Sequence, residues 1–141
     1  MYHLSEAVYA MRENCFVTIT GLNHYYGTKP FKIGQIIRLV KEPDNEYDSE
    51  AIRAELPFID KIGYVANSPE TVARGTSSAG RVYERFDSEA LGQVLFVTHD
   101  SVICLFLSPA DLADNGLAQA AKNQLKIGDV PKVGIIFRRI E

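Results

Sequence analysis

The chain has 141 residues, 46% of them hydrophobic and 23% charged, with a formal net charge of −3. That size and balance fit one globular domain with a real core. They argue against a protein that coats duplex nucleic acid, because neutralised phosphates and released counterions supply most of that affinity. No apolar run approaches the roughly 18 residues that span a bilayer. The N-terminal stretch "MYHLSEAVYAMREN" lacks a basic region followed by an apolar one, so a cytoplasmic protein without a membrane partner is expected. Cys15 and Cys104 stand far apart among apolar neighbours and read as reduced core thiols.

In chain order, Ser5 can cap a short helix over 4–13. "CFVTIT" (15–20) is β-branched and aromatic with period-two alternation, which predicts a strand. The loop "GLNHYYGTKPF" follows, and then "IGQIIRLVKE" (33–42), "EAIRAELPF" (50–58) and "KIGYVA" (61–66) predict three more strands. Short polar breaks between them suit antiparallel connections. "NSPETVARG" reads as a helix with Ser68 as cap, Pro69 at the first position and Gly75 as the stop. "SAGRVYERF" (78–86) predicts a second short helix with Ala79, Val82 and Phe86 on one face. "GQVLFVTHDSVICLFL" (92–107) is a hairpin turning at His99-Asp100-Ser101, and a helix within 111–126 and the strand "KVGIIFRRI" close the chain.

The resulting fold class is mainly β with inserted helices (α+β). Its architecture is a closed or half-closed β-barrel of about six strands, with the helices before the last hairpin. The predicted organisation is an N-terminal helical segment (1–14), a barrel domain (15–108) and a C-terminal helix and strand extension (109–141).

The densest chemistry lies in "KEPDNEYDSEAIRAEL" (41–56), where Asp44, Glu46, Asp48 and Glu50 crowd around Tyr47. The spacing of Asp44, Glu46, Asp48 and Glu55 mimics a calcium loop. However, Ser49 stands where that loop needs glycine, and strands flank it where helices should. Nothing apolar surrounds these carboxylates to raise a pKa for acid–base work. His3, His24 and His99 lack ligand spacing, and no nucleophile elbow, P-loop or zinc-protease motif occurs. The sequence therefore predicts no enzyme, metal or cofactor. Tyr25 and Tyr26, flanked by glycines, are either a stacking platform for bases or a plug for the barrel end. Asp48 beside Tyr47 can accept a bond from a ligand hydroxyl or close an Asx turn on its own backbone.

Taken together, "GLNHYYG", "IRLVKEPDNEYDSEAIRAEL" and "KIGYVANSP" resemble the HIRAN domain family, over roughly two-thirds of the chain. The middle segment matches the family's E-P-x-N-x-Y-D-x-x-A-I core through Glu42, Pro43, Asn45, Tyr47, Asp48, Ala51 and Ile52. "SPETVARGTSSAGRVYERF" is similar to stand-alone bacterial members of the family. The resemblance implies a small barrel related to OB and SH3-like folds. In fork-remodelling translocases this domain captures the 3′ end of single-stranded DNA. The resemblance implies stacking or backbone contacts for Tyr25 and Tyr26, a pocket wall at Tyr47 and a 3′-hydroxyl acceptor at Asp48. Tyr64 and Asn67 fall near the end phosphates, and Phe96 is a further stacking candidate.

The pattern departs from DNA-binding members where basic residues are expected, since this chain has His24, Tyr64, Ala66 and Asn67 there. Lys29, Lys32 and Lys61 are possible substitutes, and Arg74 and Arg81 read as solvated helix charges. The leading expectation is a non-catalytic module that weakly binds a single-stranded DNA end, in repair, restriction or mobile-element biology. The alternative is a protein-interaction or self-associating module, a homodimer through the C-terminal strand for instance, that keeps the scaffold without the DNA site.

Overall fold

Period-two alternation carries the predicted strands directly into a barrel. The computed structural model describes residues 15–109. The strands are β1 (Cys15–Thr20), β2 (Ile36–Lys41), β3 (Ile52–Leu56), β4 (Asp60–Val65), β5 (Glu89–Val97) and β6 (Val102–Leu107). All pairings among them are antiparallel, and they close in the order β1-β4-β3-β2-β5-β6. Closure pairs each of these strands on both sides, so the barrel avoids an open sheet edge. The six-strand barrel expected from the sequence is the fold observed.

Inward positions supply the core: Val17 and Ile19 on β1, Ile37 and Leu39 on β2, Ile52 and Ala54 on β3, Ile62 on β4, Val94 on β5, and Cys104 and Phe106 on β6 are all buried. Each fully buried Val, Leu, Ile or Phe contributes about 1.5–3 kcal/mol through removal from water. Leu105 and Leu107 point the other way and form a second apolar cluster with Phe16, Leu91 and Leu95. Both cysteines are buried and free, and burial pushes the Cys104 thiol far above its ordinary range.

Leu22, from a 3-10 turn (Leu22–His24), and Phe31 are buried in the main core cluster. Tyr25 and Tyr26, which follow the turn, are exposed and lie outside that cluster. β4 approaches β1 so closely that a Cβ at Gly63 would lie 2.8 Å from the Thr20 carbonyl and 2.9 Å from Leu22 Cδ2. The glycine of "KIGYVA" is therefore a packing requirement.

One predicted element is replaced. Residues 68–75 form turns and no helix. The Ser68 carbonyl does accept from the backbone N–H groups of Thr71 and Val72, as a helix start would. The chain is then drawn onto β1: Ala73 N–H donates to Thr18 Oγ1 at 3.1 Å, Thr76 Oγ1 meets the same hydroxyl at 2.8 Å, and Ser77 N–H donates to the Phe16 carbonyl at 2.6 Å. These long-range bonds satisfy backbone groups that further helical turns would have used.

The second predicted helix is present as α1 (Ala79–Val82), continued by a 3-10 turn (Tyr83–Arg85). Ser78 caps it, and Ala79, Val82 and Phe86 are buried on one face. β5 begins at Glu89, three residues earlier than the sequence pattern indicates, because its first residues pair with β2 through Val40↔Glu89 and Leu39↔Ala90. The helix expected over 4–13, the helix within 111–126 and the strand "KVGIIFRRI" lie outside the described residues.

Candidate functional site

The connection from β2 to β3 holds the acidic knuckle, and its geometry is organised by an asparagine. Asn45 Oδ1 accepts from the backbone N–H of Tyr47 at 2.9 Å and of Asp48 at 3.1 Å, while its Nδ2 donates to Glu42 Oε1 at 2.9 Å. Such Asx turns fix a loop without regular structure. Asp48 is then held on both oxygens. Oδ1 accepts from Glu50 N–H at 2.9 Å, and Oδ2 accepts from Asn67 Nδ2 at 2.8 Å. Asn67 is itself oriented by Gly80 N–H, which donates to its Oδ1 at 2.9 Å. Asp48 thus closes a local turn and also bridges the knuckle to the segment after β4. Each carboxylate oxygen keeps further acceptor capacity.

Beside this bridge lies an open cleft of about 740 Å³. His24 and Tyr25 line it from the 3-10 turn, Asn45, Tyr47 and Asp48 from the knuckle, and Tyr64 and Asn67 from β4 and its exit. Tyr25 is 38% exposed and Tyr47 is 93% exposed, so both rings offer faces to solvent. Tyr26 and Phe96 do not line the cleft. Tyr26 is 57% exposed. Phe96 sits on β5, across the barrel from β4 in the strand order, beyond a bulge between Val94 and Phe96. Thr20, Ser68 and Thr71 also line the cleft; no motif or spacing singles out the two threonines, and Ser68 is marked in the sequence only as a cap within "KIGYVANSP". Asn45 stands in the E-P-x-N-x-Y-D core of the sequence, and its part in the cleft is that of an Asx turn, an asparagine two and three residues before the backbone donors it accepts from.

A charged network backs the cleft. Glu42 is its hub: it accepts from the Tyr64 hydroxyl at 2.8 Å and stands 3.4 Å from both Lys61 Nζ and Arg53 Nη1. Arg53 also pairs with Glu55, and Arg38 bridges Glu55 at 3.4 Å and Glu89 at 2.9 Å. The alternation of "IRLVKE" and "AIRAEL" places Arg38, Glu42, Arg53 and Glu55 on the outer face, so the network was readable as a pattern. Burial pushes the Glu42 carboxyl up, but the bonds from Asn45 and Tyr64 and the Lys61 charge outweigh it and hold the group below its ordinary value. The Tyr64 hydrogen bond, aided by Glu42, raises Lys61. Burial and the bond to Glu42 raise Tyr64, which keeps it a hydroxyl donor. Lys61 Nζ donates to the Tyr64 hydroxyl at 2.8 Å and lies 6.0 Å from the Tyr25 ring centre, which ties the network to the cleft wall.

Lys29, Lys32, Arg74 and Arg81 do not line the cleft. Among the described residues, no group of three or more His, Cys, Asp or Glu side chains could hold a metal ion. No described helix is long and apolar enough to cross a membrane.

A closed antiparallel barrel with an open aromatic and polar cleft defines a class, that of small barrel-fold binding modules. A family model described as the HIRAN domain matches residues 13–92, more than half of the chain, and the chain belongs to that family. HIRAN domains are known as DNA-binding modules. Among solved structures, the chain is similar to the HIRAN domain of human HLTF at 18% identity and a TM-score of 0.47, over 84% of this chain and 92% of that one. It is also similar to a protein from Lactobacillus plantarum at 20% identity and a TM-score of 0.48, over 65% of this chain and 88% of that one. No curated protein matches the chain in sequence.

Proposed function

We propose that the cleft binds single-stranded DNA at a 3′ end, as a non-catalytic recognition module. The observation that carries this reading is the fixed carboxylate of Asp48, bonded to Asn67 at 2.8 Å and facing a cleft with exposed tyrosines. A terminal 3′-hydroxyl donates to the remaining lone pairs of Asp48, and a hydrogen bond to a charged acceptor is worth about 1.5–3 kcal/mol. Tyr25 supplies a face for the terminal base, and stacking tolerates any base because each has a π-face. Tyr47 stands at the rim, and Asn67 and Tyr64 complete the wall. A module of this kind suits repair, restriction or mobile-element processes, in which strand ends are exposed.

Titration of labelled oligonucleotides with free and 3′-phosphorylated ends tests the reading. Tighter binding of the free end is expected, and Asp48→Ala abolishes the difference. Equal affinity for both ends in the native protein removes the end-recognition claim.

A second reading, a protein-interaction module on the same barrel, draws on one observation: among the described residues, no lysine or arginine lines the cleft. It requires that no oligonucleotide binds at all, and the same titration decides between the two.

A further inference from the structure

We infer that the cleft recognises the sugar and base of a terminal nucleoside and neutralises little of the charge on the phosphates behind it. This inference rests on the DNA reading above and narrows its ligand. Lys, Arg, Ser, Thr, Asn, Gln and Tyr side chains and backbone N–H groups all contact phosphates, but only cations neutralise the charge and release counterions. Among the described residues, the walls of the cleft contain neither lysine nor arginine.

The nearest cations are held elsewhere. Lys61 is bonded to Tyr64 at 2.8 Å and to Glu42 at 3.4 Å, and Arg53 is shared between Glu42 and Glu55. Turning Lys61 onto a phosphate would strip a mostly buried carboxylate of a partner. Several local backbone donors are also engaged: Tyr47 and Asp48 N–H by Asn45, Glu50 N–H by Asp48, Gly80 N–H by Asn67 and Ala66 N–H by the Thr18 carbonyl.

What the cleft does present is hydroxyls and amides (Thr20, Asn45, Asn67, Ser68 and Thr71), tyrosine rings, the His24 imidazole and one carboxylate. The hydroxyls, amides and rings suit a polyol and a base, and where they meet a phosphate oxygen they leave its charge in place. The same carboxylate repels a phosphate, since like charges about 4 Å apart cost about 1 kcal/mol in water and several times that near a protein surface.

The test is the salt dependence of binding. Each phosphate neutralised on a single strand gives log K a slope of about −0.7 against log salt. Fluorescence anisotropy of a short 3′-hydroxyl oligonucleotide between about 50 and 200 mM salt, at a pH where an ordinary imidazole is neutral, should give a slope shallower than that of one phosphate. Free deoxyadenosine should compete for the site. Glu42→Gln, which removes the carboxylate partner of Lys61, should steepen the slope by about 0.7 if the freed ammonium reaches a phosphate. A native slope steeper than about −1.4, the value for two phosphates, or failure of deoxyadenosine to compete, overturns the inference and leaves DNA binding standing. Absence of oligonucleotide binding overturns the DNA reading itself.

Discussion

On the outer face of β2, β3 and β4, Arg38, Arg53 and Lys61 each sit against a carboxylate. In the adjoining cleft, the described wall carries Asp48 and His24 but no lysine or arginine. The two regions touch through Tyr64, whose hydroxyl belongs to the first and whose ring lines the second. Counting basic residues in this sequence therefore says little about its ligand. The cations nearest the cleft sit in ion pairs, and the cleft itself carries one oriented carboxylate and one imidazole among uncharged side chains. Substitutions on the outer face should change stability, and those in the cleft should change binding.

Glu42, where Tyr64, Asn45, Lys61 and Arg53 converge, should be the most sensitive position. Glu42→Ala should lower unfolding stability by about 2–3 kcal/mol, from lost charged hydrogen bonds and the donors left behind, measured by urea denaturation. The folded carboxyl is depressed from the ordinary value of 4.5. Its stabilisation is therefore fully present above that value and is lost as pH falls through the folded pKa. Glu42→Gln should remove this component of acid sensitivity, and an unchanged acid profile would break the assignment of Glu42 as hub.

Gly63→Ala comes next, because its Cβ would meet the Thr20 carbonyl at 2.8 Å and Ile19 Cγ2 at 3.0 Å. Overpacking of this kind costs about 1–3 kcal/mol, and calorimetry should show a lowered Tm.

Within the cleft, Tyr25→Ala should weaken oligonucleotide binding by about 1–2 kcal/mol while leaving urea unfolding nearly unchanged. Loss of stability in place of affinity would erase the contrast between the regions. The weakest responses belong to Tyr26→Ala and Phe96→Ala, both outside the cleft. Each should alter affinity by less than about 0.5 kcal/mol, as surface substitutions away from special features do.

The barrel was legible because β-branched and apolar clustering between polar breaks is a local signal, even where the alternation lapses, as it does at the Ala54/Glu55 register shift. α1 was legible from Ser78 and the spacing of Ala79, Val82 and Phe86. The segment 68–75 was not, since its capping residues are equally good turn residues. What decided between helix and turn was the Thr18 hydroxyl, 55 positions away from Ala73 in sequence. The knuckle was legible as a turn with Asp48 as its distinctive carboxylate. Its wiring was not, because the partner of Asp48 Oδ2 is Asn67, 19 positions on. Phe96 illustrates the converse: exposure was foreseeable, but only the strand order shows that β5 runs opposite the cleft.

Whether this cleft is the nucleic-acid site can be read from a backbone-amide NMR titration with a 3′-hydroxyl oligonucleotide. The strongest shifts should fall on Tyr25, Tyr47, Asp48, Tyr64 and Asn67, with little change at Phe96 or Tyr26. Shifts centred on β5 and the Tyr26 loop, with the Asp48–Asn67 bridge unperturbed, would place the ligand elsewhere and refute the assignment.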